Sequence, residues 1–359
     1  SDDPLLLNWE KLTGQAVIPL KSETGHPLPY HVYDPCVWER GGIYYSLSGA
    51  RKSTGPGGKG LPTVYLFRSR DLANWEYLHE FVQGDRFTMV GDDYAVPYFW
   101  PIGDRYLFAF ASHMSGGQYL LGDYDTAKDL FVVSSHGRFS FGTYGFPPNI
   151  GGVNAPSAAP DGKGGVVVIF NLMNNKPLGE WGQILSLARR LTLMGSDTLG
   201  QEPAGDIASL RYAPQHIGPL ELVANKEVVL EHIRGNAMEL NLEVDPESAA
   251  MIELNVLRSP GREEFTRIAF FKDGGFLADR QGLAFPAKGR TAPPKVVPWS
   301  TRSSLVVLDS SCSSLHPDVK YRAPSAASVL LEPNENLRLR LVIDKSVVEV
   351  FVNERQVMA

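Results

Sequence analysis

The sequence predicts an all-β protein in two parts: a bladed, propeller-like body followed by a sandwich of two antiparallel sheets. Three observations predict it. Short runs rich in β-branched and aromatic residues alternate with Gly/Pro turn clusters from residue 43 to 190, without a convincing helical period. The last third alternates apolar and polar residues with a strict period of two, which gives each strand one buried and one solvated face. And Leu5-Leu6-Leu7-Asn8-Trp9-Glu10 resembles Leu72-Ala73-Asn74-Trp75-Glu76-Tyr77, each with an aspartate upstream. Units repeated at intervals of roughly 50–70 residues are what blades look like in sequence.

Residues 1–30 read as a strand remnant and a loop. The chain is then organised around Tyr33-Asp34-Pro35-Cys36-Val37-Trp38. Proline fixes its own φ and pushes the preceding residue away from the helical region, so Asp34 is expected extended at the mouth of a strand. A turn aspartate is the competing reading. A second acidic stretch, Gly91-Asp92-Asp93-Tyr94-Ala95-Val96-Pro97, strengthens the functional one. Strand runs follow at Thr63–Arg68, Tyr106–Phe110, Gln118–Leu121 and Val166–Phe170, and Asp161-Gly162 among flanking glycines is hairpin chemistry. Residues 190–225 turn polar, with a helical turn expected from Ile207 to Arg211. From 226 the period-two runs begin: Met238–Val244, Met251–Leu257, Leu337–Ile343 and Ser346–Asn353. The expected domains are residues 1–195, a connector 196–225, and a sandwich 226–359.

Composition narrows the function. With 359 residues, two domains and a sizeable core are expected. The 35 glycines and 26 prolines fit a turn-rich β protein. A net charge of −6, scattered along the chain, is neither a nucleic-acid footprint nor a polybasic membrane patch. No apolar run approaches the roughly 18 residues of a membrane span. Cys36 and Cys312 lie far apart and suggest buried thiols, not a zinc site or a disulfide framework.

Four segments carry a resemblance. Ile343-Asp344-Lys345-Ser346-Val347-Val348-Glu349-Val350-Phe351-Val352-Asn353 looks like the sandwich signature of glycoside hydrolase family 32, the β-fructosidases. Phe67–Glu76 and Pro97–Asp104 resemble that family's strand motif and the end of its acid/base segment. Tyr33-Asp34-Pro35 occupies the place of its Arg-Asp-Pro motif. The resemblance spans nearly the whole chain. It implies a five-bladed β-propeller followed by a β-sandwich, with a first blade and the last sandwich strands expected beyond this chain. It implies retaining hydrolysis or transfer of terminal β-fructosyl units from sucrose or fructans, with no cofactor and no metal. Secretion or periplasmic export is expected from the resemblance alone.

The chemistry needs a nucleophilic carboxylate, an acid, and a carboxylate that grips sugar hydroxyls as oxocarbenium character develops. By position Asp34 takes the last role. The family's glutamate stands shortly before a Cys-Pro that Val96-Pro97 replaces, and Asp92 is the nearest acid, with Asp93 beside it. Neighbours in an extended segment point to opposite faces, so one of the pair faces the sugar. The nucleophile has no match here: Asp3-Pro4 and Arg70-Asp71-Leu72 are decoys. Candidate substrate contacts are Asp93, Trp100, His113, Gln118, Tyr124 and Asn154, with Trp181 further along. The partner is a fructose-containing oligosaccharide or polysaccharide. The other readings are a catalytically inactive carbohydrate-binding protein on this scaffold and a propeller glycosidase acting on other sugars.

Overall fold

The computed structural model describes residues 2–11, 13–141, 152–173, 183–195, 197–275, 303–319, 322–332 and 334–359. It is a propeller followed by a sandwich. The first blade is β1 Cys36–Arg40, β2 Ile43–Lys52, β3 Leu61–Ser69 and β4 Trp75–Glu80, paired antiparallel in chain order. A short strand, β5 Val82–Gln83, then crosses over. The second blade is β6 Ala95–Ile102, β7 Arg105–Ser112, β8 Gly116–Asp125 and β9 Leu130–Arg138, with β5 parallel to β9 on its edge. The third is β10 Gly152–Pro160 and β11 Val166–Met173, with β12 Gln183–Leu185 beside β11, then β13 Arg189–Met194 and β14 Thr198–Pro203.

The repeated unit is a real structural repeat. Asp3 accepts from the backbone N–H groups of Leu5, Leu7 and Asn8 and from the Asn8 amide, while Trp9 Nε1 donates to the Leu6 carbonyl. Asp71 does the same for Ala73, Asn74 and the Asn74 amide, and Trp75 Nε1 donates to the Leu72 carbonyl. Leu6 and Leu72 share a left-handed backbone. Hydrogen bonds from the Asn74 side chain and backbone hold the Asp71 carboxyl down to about 2. Both aspartates are turn caps, so neither decoy faces a site.

Inner strands explain the packing. Phe81, Phe99, Phe108, Phe110 and Phe131 fill the wedge between the first and second blades. Leu107, Leu121, Val153, Val168 and Phe170 fill the next. Each fully buried apolar side chain of this size contributes about 1.5–3 kcal/mol. Gly49 on β2 is required by close approach: a Cβ there would lie 1.5 Å from the Tyr94 carbonyl oxygen.

The sandwich comprises β15 Ala237–Val244, β16 Met251–Val256, β17 Thr266–Phe271, β18 Ser304–Asp309, β19 Ser325–Val329, β20 Leu337–Asp344, β21 Val347–Val352 and β22 Gln356–Met358. One sheet runs β15-β20-β21-β22 and the other β16-β17-β18-β19. Leu337, Leu339, Leu341 and Ile343 alternate into the core as the period of two requires. The expected domain boundary shifts. Thr198–Pro203 pairs with β13 as the outer strand of the third blade, so the connector begins after it. The expected helical turn forms as a 3-10 turn at Ile207–Leu210. Propeller and sandwich are joined by a buried ion pair, with Arg189 Nη2 3.0 Å from Glu349 Oε2.

Candidate active site

The innermost strands β1, β6 and β10 pack side by side, with β6 in contact with both others. Each carries an unusual X-Pro step, just before β1, at the start of β6 and within the first half of β10. Asp34-Pro35, Val96-Pro97 and Ala155-Pro156 have φ of 33°, 47° and 42° at the residue before proline. A left-handed β-branched valine is a genuine outlier, and each such residue costs on the order of 1–3 kcal/mol. β6 and β10 also carry a register shift at this point. The same strained step recurs in three adjacent innermost strands, and the end of the propeller where it lies is called the mouth below. The expected extended conformation of Asp34 is thus corrected: its neighbourhood over-determines a left-handed one. Buried Ser48 of β2 accepts from the Tyr33 N–H at 2.6 Å and donates to the Tyr33 carbonyl at 2.9 Å. That double grip fixes the residue before Asp34 and leaves the Asp34 side chain exposed.

The neighbouring acidic pair divides as the alternation rule requires. Asp92 is 0 % exposed. Its carboxylate accepts from the Met89 N–H at 2.9 Å and from Ser112 and Ser115 Oγ at 2.7 Å each. Gln118 Nε2 lies 2.7 Å from Ser115 Oγ, and Gln118 Oε1 lies 2.7 Å from His136 Nε2. Asp92 and Gln118 therefore build an internal polar network under the mouth. Asp92, expected as the acid, and Gln118, expected at the sugar, are thus both engaged by internal partners.

Asp93 faces the other way and binds His113. One carboxylate oxygen accepts the His113 backbone N–H at 2.9 Å and the other meets His113 Nδ1 at 2.7 Å. His113 sits in the β7–β8 hairpin at the mouth, with 53 % of its side chain exposed. Burial alone would raise the Asp93 carboxyl, but the His113 ring and backbone bonds, with the charges of His113 and Arg51, hold it below the usual carboxylate range. The hydrogen bond to Asp93 raises the His113 imidazole. Partial burial and Arg51 oppose this, Asp34 adds to it, and the net shift is upward. Asp34, Asp93, His113 and Arg51 thus form one electrostatic group.

Two further expectations are corrected. Trp100 lies well down β6, where its Nε1 donates to the Ala158 carbonyl at 2.9 Å and ties the second blade to the third. Tyr124 lies at the opposite end of the blade. Its hydroxyl donates to Asp129 at 2.7 Å, and Arg40 stacks over its ring at 4.9 Å while contacting Asp129 at 2.5 Å. Asn154 is at the mouth, beside the strained Ala155. Trp181 lies outside the described residues. Sequence reasoning missed Ser48 and Arg51. The signal that points to the mouth is the X-Pro dipeptide recurring at roughly sixty-residue intervals. Cys36, buried at the head of β1, has its thiol pushed up to about 11 by burial and is inert.

Comparison with known proteins matches this architecture. The model of the glycosyl hydrolases family 32 N-terminal domain matches residues 1–203, and that of the family's C-terminal domain matches residues 206–359. The chain belongs to glycoside hydrolase family 32. No curated protein matches it in sequence. Among solved structures, fructan 1-exohydrolase IIa from Cichorium intybus, crystallised in complex with 1-kestose, superposes with a TM-score of 0.69 at 16% identity. That match covers 92% of this chain and 66% of the other. Sucrose-6-phosphate hydrolase from Lactobacillus gasseri gives 0.64 at 19% identity, over 94% and 65%. The Bombyx mori β-fructofuranosidase, in complex with sucrose, gives 0.56 at 17% identity, over 90% and 59%. The chain therefore spans about two thirds or less of the length of these family 32 structures. At these identities the likeness establishes the shared fold.

Proposed function

We propose that this chain carries the propeller and sandwich of a retaining β-fructosidase, which cleaves or transfers terminal β-fructosyl units of sucrose or fructans. The observation that carries the reading is the exposed Asp34 carboxylate, on a backbone held by the Ser48 grip on Tyr33, in a row with two equivalent strained X-Pro steps on β6 and β10. Family membership supplies the chemical class. In this reading Asp34 holds sugar hydroxyls and stabilises the growing positive charge at the anomeric carbon, and Asn154 of β10 is a further candidate contact. Preorganised charge of this kind is effective because it costs no rearrangement during the reaction. The retaining nucleophile is assigned to none of the described residues. Oligosaccharides such as sucrose and 1-kestose, bound by the related enzymes above, are the fitting substrates. No helix among the described residues is long and apolar enough to cross a membrane. A secreted or periplasmic enzyme would meet fructans directly.

The test is proton NMR of the protein with sucrose and with 1-kestose. The expected result is fructose released first in the β configuration and then mutarotating. First-formed α-fructose, or no turnover of either sugar, overturns the reading.

A further inference from the structure

One cation stands at the mouth with most of its hydrogen-bonding capacity unused. Cys36 of β1 pairs with Leu47 of β2, so β2 runs on past the head of β1 and carries Arg51 to the end of the propeller where Asp34 lies. Alternation puts Arg51 on the same face of β2 as Leu47 and Gly49. That face meets the second blade: Leu47 packs in the core between the two blades, and Gly49 abuts the Tyr94 carbonyl. Arg51 therefore faces the second blade from one strand outside the innermost ring.

The side chain lies in a prepared slot. Its stem crosses Gly60, where a Cβ would come 2.1 Å from Arg51 Cγ and Cδ, so a residue without a side chain keeps the path open. Its head reaches the Gly91 carbonyl, to which Nη1 donates at 3.3 Å, and the Gly91 N–H donates in turn to the Gly60 carbonyl at 2.8 Å. A guanidinium carries several further N–H donors. Among the described residues that one long bond is the only hydrogen bond of Arg51, and the residue is exposed. Its charge acts on Asp93 and on His113, which also feels Asp34, so the guanidinium shares the opening with these three. We infer that Arg51 grips the leaving-group side of the substrate: its guanidinium donates to hydroxyls of the sugar attached to the fructosyl unit and so selects saccharides over simple fructosides. This rests on the fructosidase reading above.

The position and the chemistry agree. In that reading the fructosyl unit is held at Asp34, in the innermost ring, and whatever is linked to it extends outward past the second strand. A guanidinium is planar and its donors are splayed in a fixed fork that spans two neighbouring acceptors, a pair that vicinal sugar hydroxyls present. Lysine in the same place would offer a point charge without the fork. The contact moves no proton and breaks no bond, so it acts on the choice of substrate and leaves the acid and nucleophile roles untouched.

The experiment compares kcat/KM of the wild-type protein with that of Arg51→Ala, Arg51→Lys and Gly60→Ala on sucrose and on methyl β-D-fructofuranoside. Both substrates present the same fructosyl unit, but the methyl group carries no hydroxyl. For Arg51→Ala a loss of about 10–100-fold is expected on sucrose and of no more than about threefold on the methyl fructoside, the difference that hydrogen bonds to a charged group make. Arg51→Lys should fall between wild type and Arg51→Ala on sucrose. Gly60→Ala, which displaces the stem and keeps the charge, should repeat the selective loss. Equal losses on the two substrates indicate a strut between blades and overturn the proposal. So does sucrose turnover by Arg51→Ala within about threefold of wild type. Either result leaves the fructosidase reading standing, whereas a wild-type protein that cleaves neither substrate overturns both. Melting curves check folding, and if Arg51→Ala does not fold, the ratio of the two substrates for Arg51→Lys decides by the same criterion.

Discussion

The propeller and sandwich are locked by one buried ion pair, and breaking it from one side should nearly unfold the junction. Glu349 of β21 is 2 % exposed and Arg189 of β13 is 0 % exposed. One Glu349 oxygen accepts the Leu187 N–H at 2.5 Å and the other meets Arg189 Nη2 at 3.0 Å. The guanidinium lies 5.2 Å from the Phe170 ring and 5.9 Å from the Phe351 ring, so it has aromatic faces but no second carboxylate among the described residues. Glu349→Ala leaves a buried cation uncompensated, at a cost of about 3–5 kcal/mol. It also orphans the Leu187 N–H, which adds about 1–3 kcal/mol. These overlap, and about 4–6 kcal/mol is the expected total, a large share of the ~5–15 kcal/mol typical of a folded domain. Removing both charges with Arg189→Met and Glu349→Leu should recover most of the loss, because apolar replacement of a whole buried pair is often near neutral. Urea unfolding followed by tryptophan fluorescence and circular dichroism reads both variants. A Glu349→Ala protein within 1 kcal/mol of wild type would refute the reasoning, as would a double variant no more stable than the single one.

Three other perturbations separate positioning from chemistry. Ser48→Ala should cost about 1–3 kcal/mol by orphaning the Tyr33 N–H; steady-state kinetics should show kcat falling more than KM changes, since Asp34 loses its fixed bearing. Asp92→Asn should cost about 1–3 kcal/mol, because the amide replaces an acceptor of the Ser112 and Ser115 hydroxyls with a donor and removes the charge that strengthens these bonds; differential scanning calorimetry should show a lower melting temperature, with kcat on sucrose within tenfold. A kcat loss beyond 10³-fold with unchanged melting would restore Asp92 as the acid. In the sandwich, burial alone would raise the Glu335 carboxyl, but hydrogen bonds from Arg355, its backbone partner at Glu332 and Asn353 pull it down to about 2. A depressed carboxyl contributes stability above its unfolded value of 4.5 that is lost as pH falls toward about 2. Glu335→Gln should flatten this acid limb in a pH series of melts.

The sequence states some of this plainly and conceals the rest for physical reasons. Period-two alternation marks β15, β16 and β20 because each has one wet face, and a pattern of that period has few other solutions, whereas β21 is buried on both faces. Asp34 is legible because an aspartate before proline at a strand head has few structural duties. Alternation also requires Asp92 and Asp93 to part company, but it does not tell which one faces inward. That choice is made by the Ser112 and Ser115 hydroxyls, some twenty residues on, which converge on Asp92 only after β7 and β8 pair. The positions of Trp100 and Tyr124 along their strands are illegible for a related reason. A strand rises about 3.3 Å per residue, so eight residues carry a side chain from mouth to base; composition says that an aromatic is on a blade, not at which end. Ser48 and Arg51 sit in an ordinary strand run with nothing local to mark them. The domain boundary moved because Thr198–Pro203, though polar and containing glycine and proline, finds a partner in β13 that local composition does not reveal.

The central claim is that Asp34 is the charge-stabilising carboxylate of the mouth, whereas the superficially similar Asp71 only caps a turn. The most direct test is kcat/KM on sucrose for Asp34→Asn beside Asp71→Asn. The account predicts a loss of at least about 10³-fold for Asp34→Asn, close to 4 kcal/mol of transition-state stabilisation, with Asp71→Asn within a few fold of wild type. An Asp34→Asn enzyme within tenfold of wild type, with its fold intact, would contradict it.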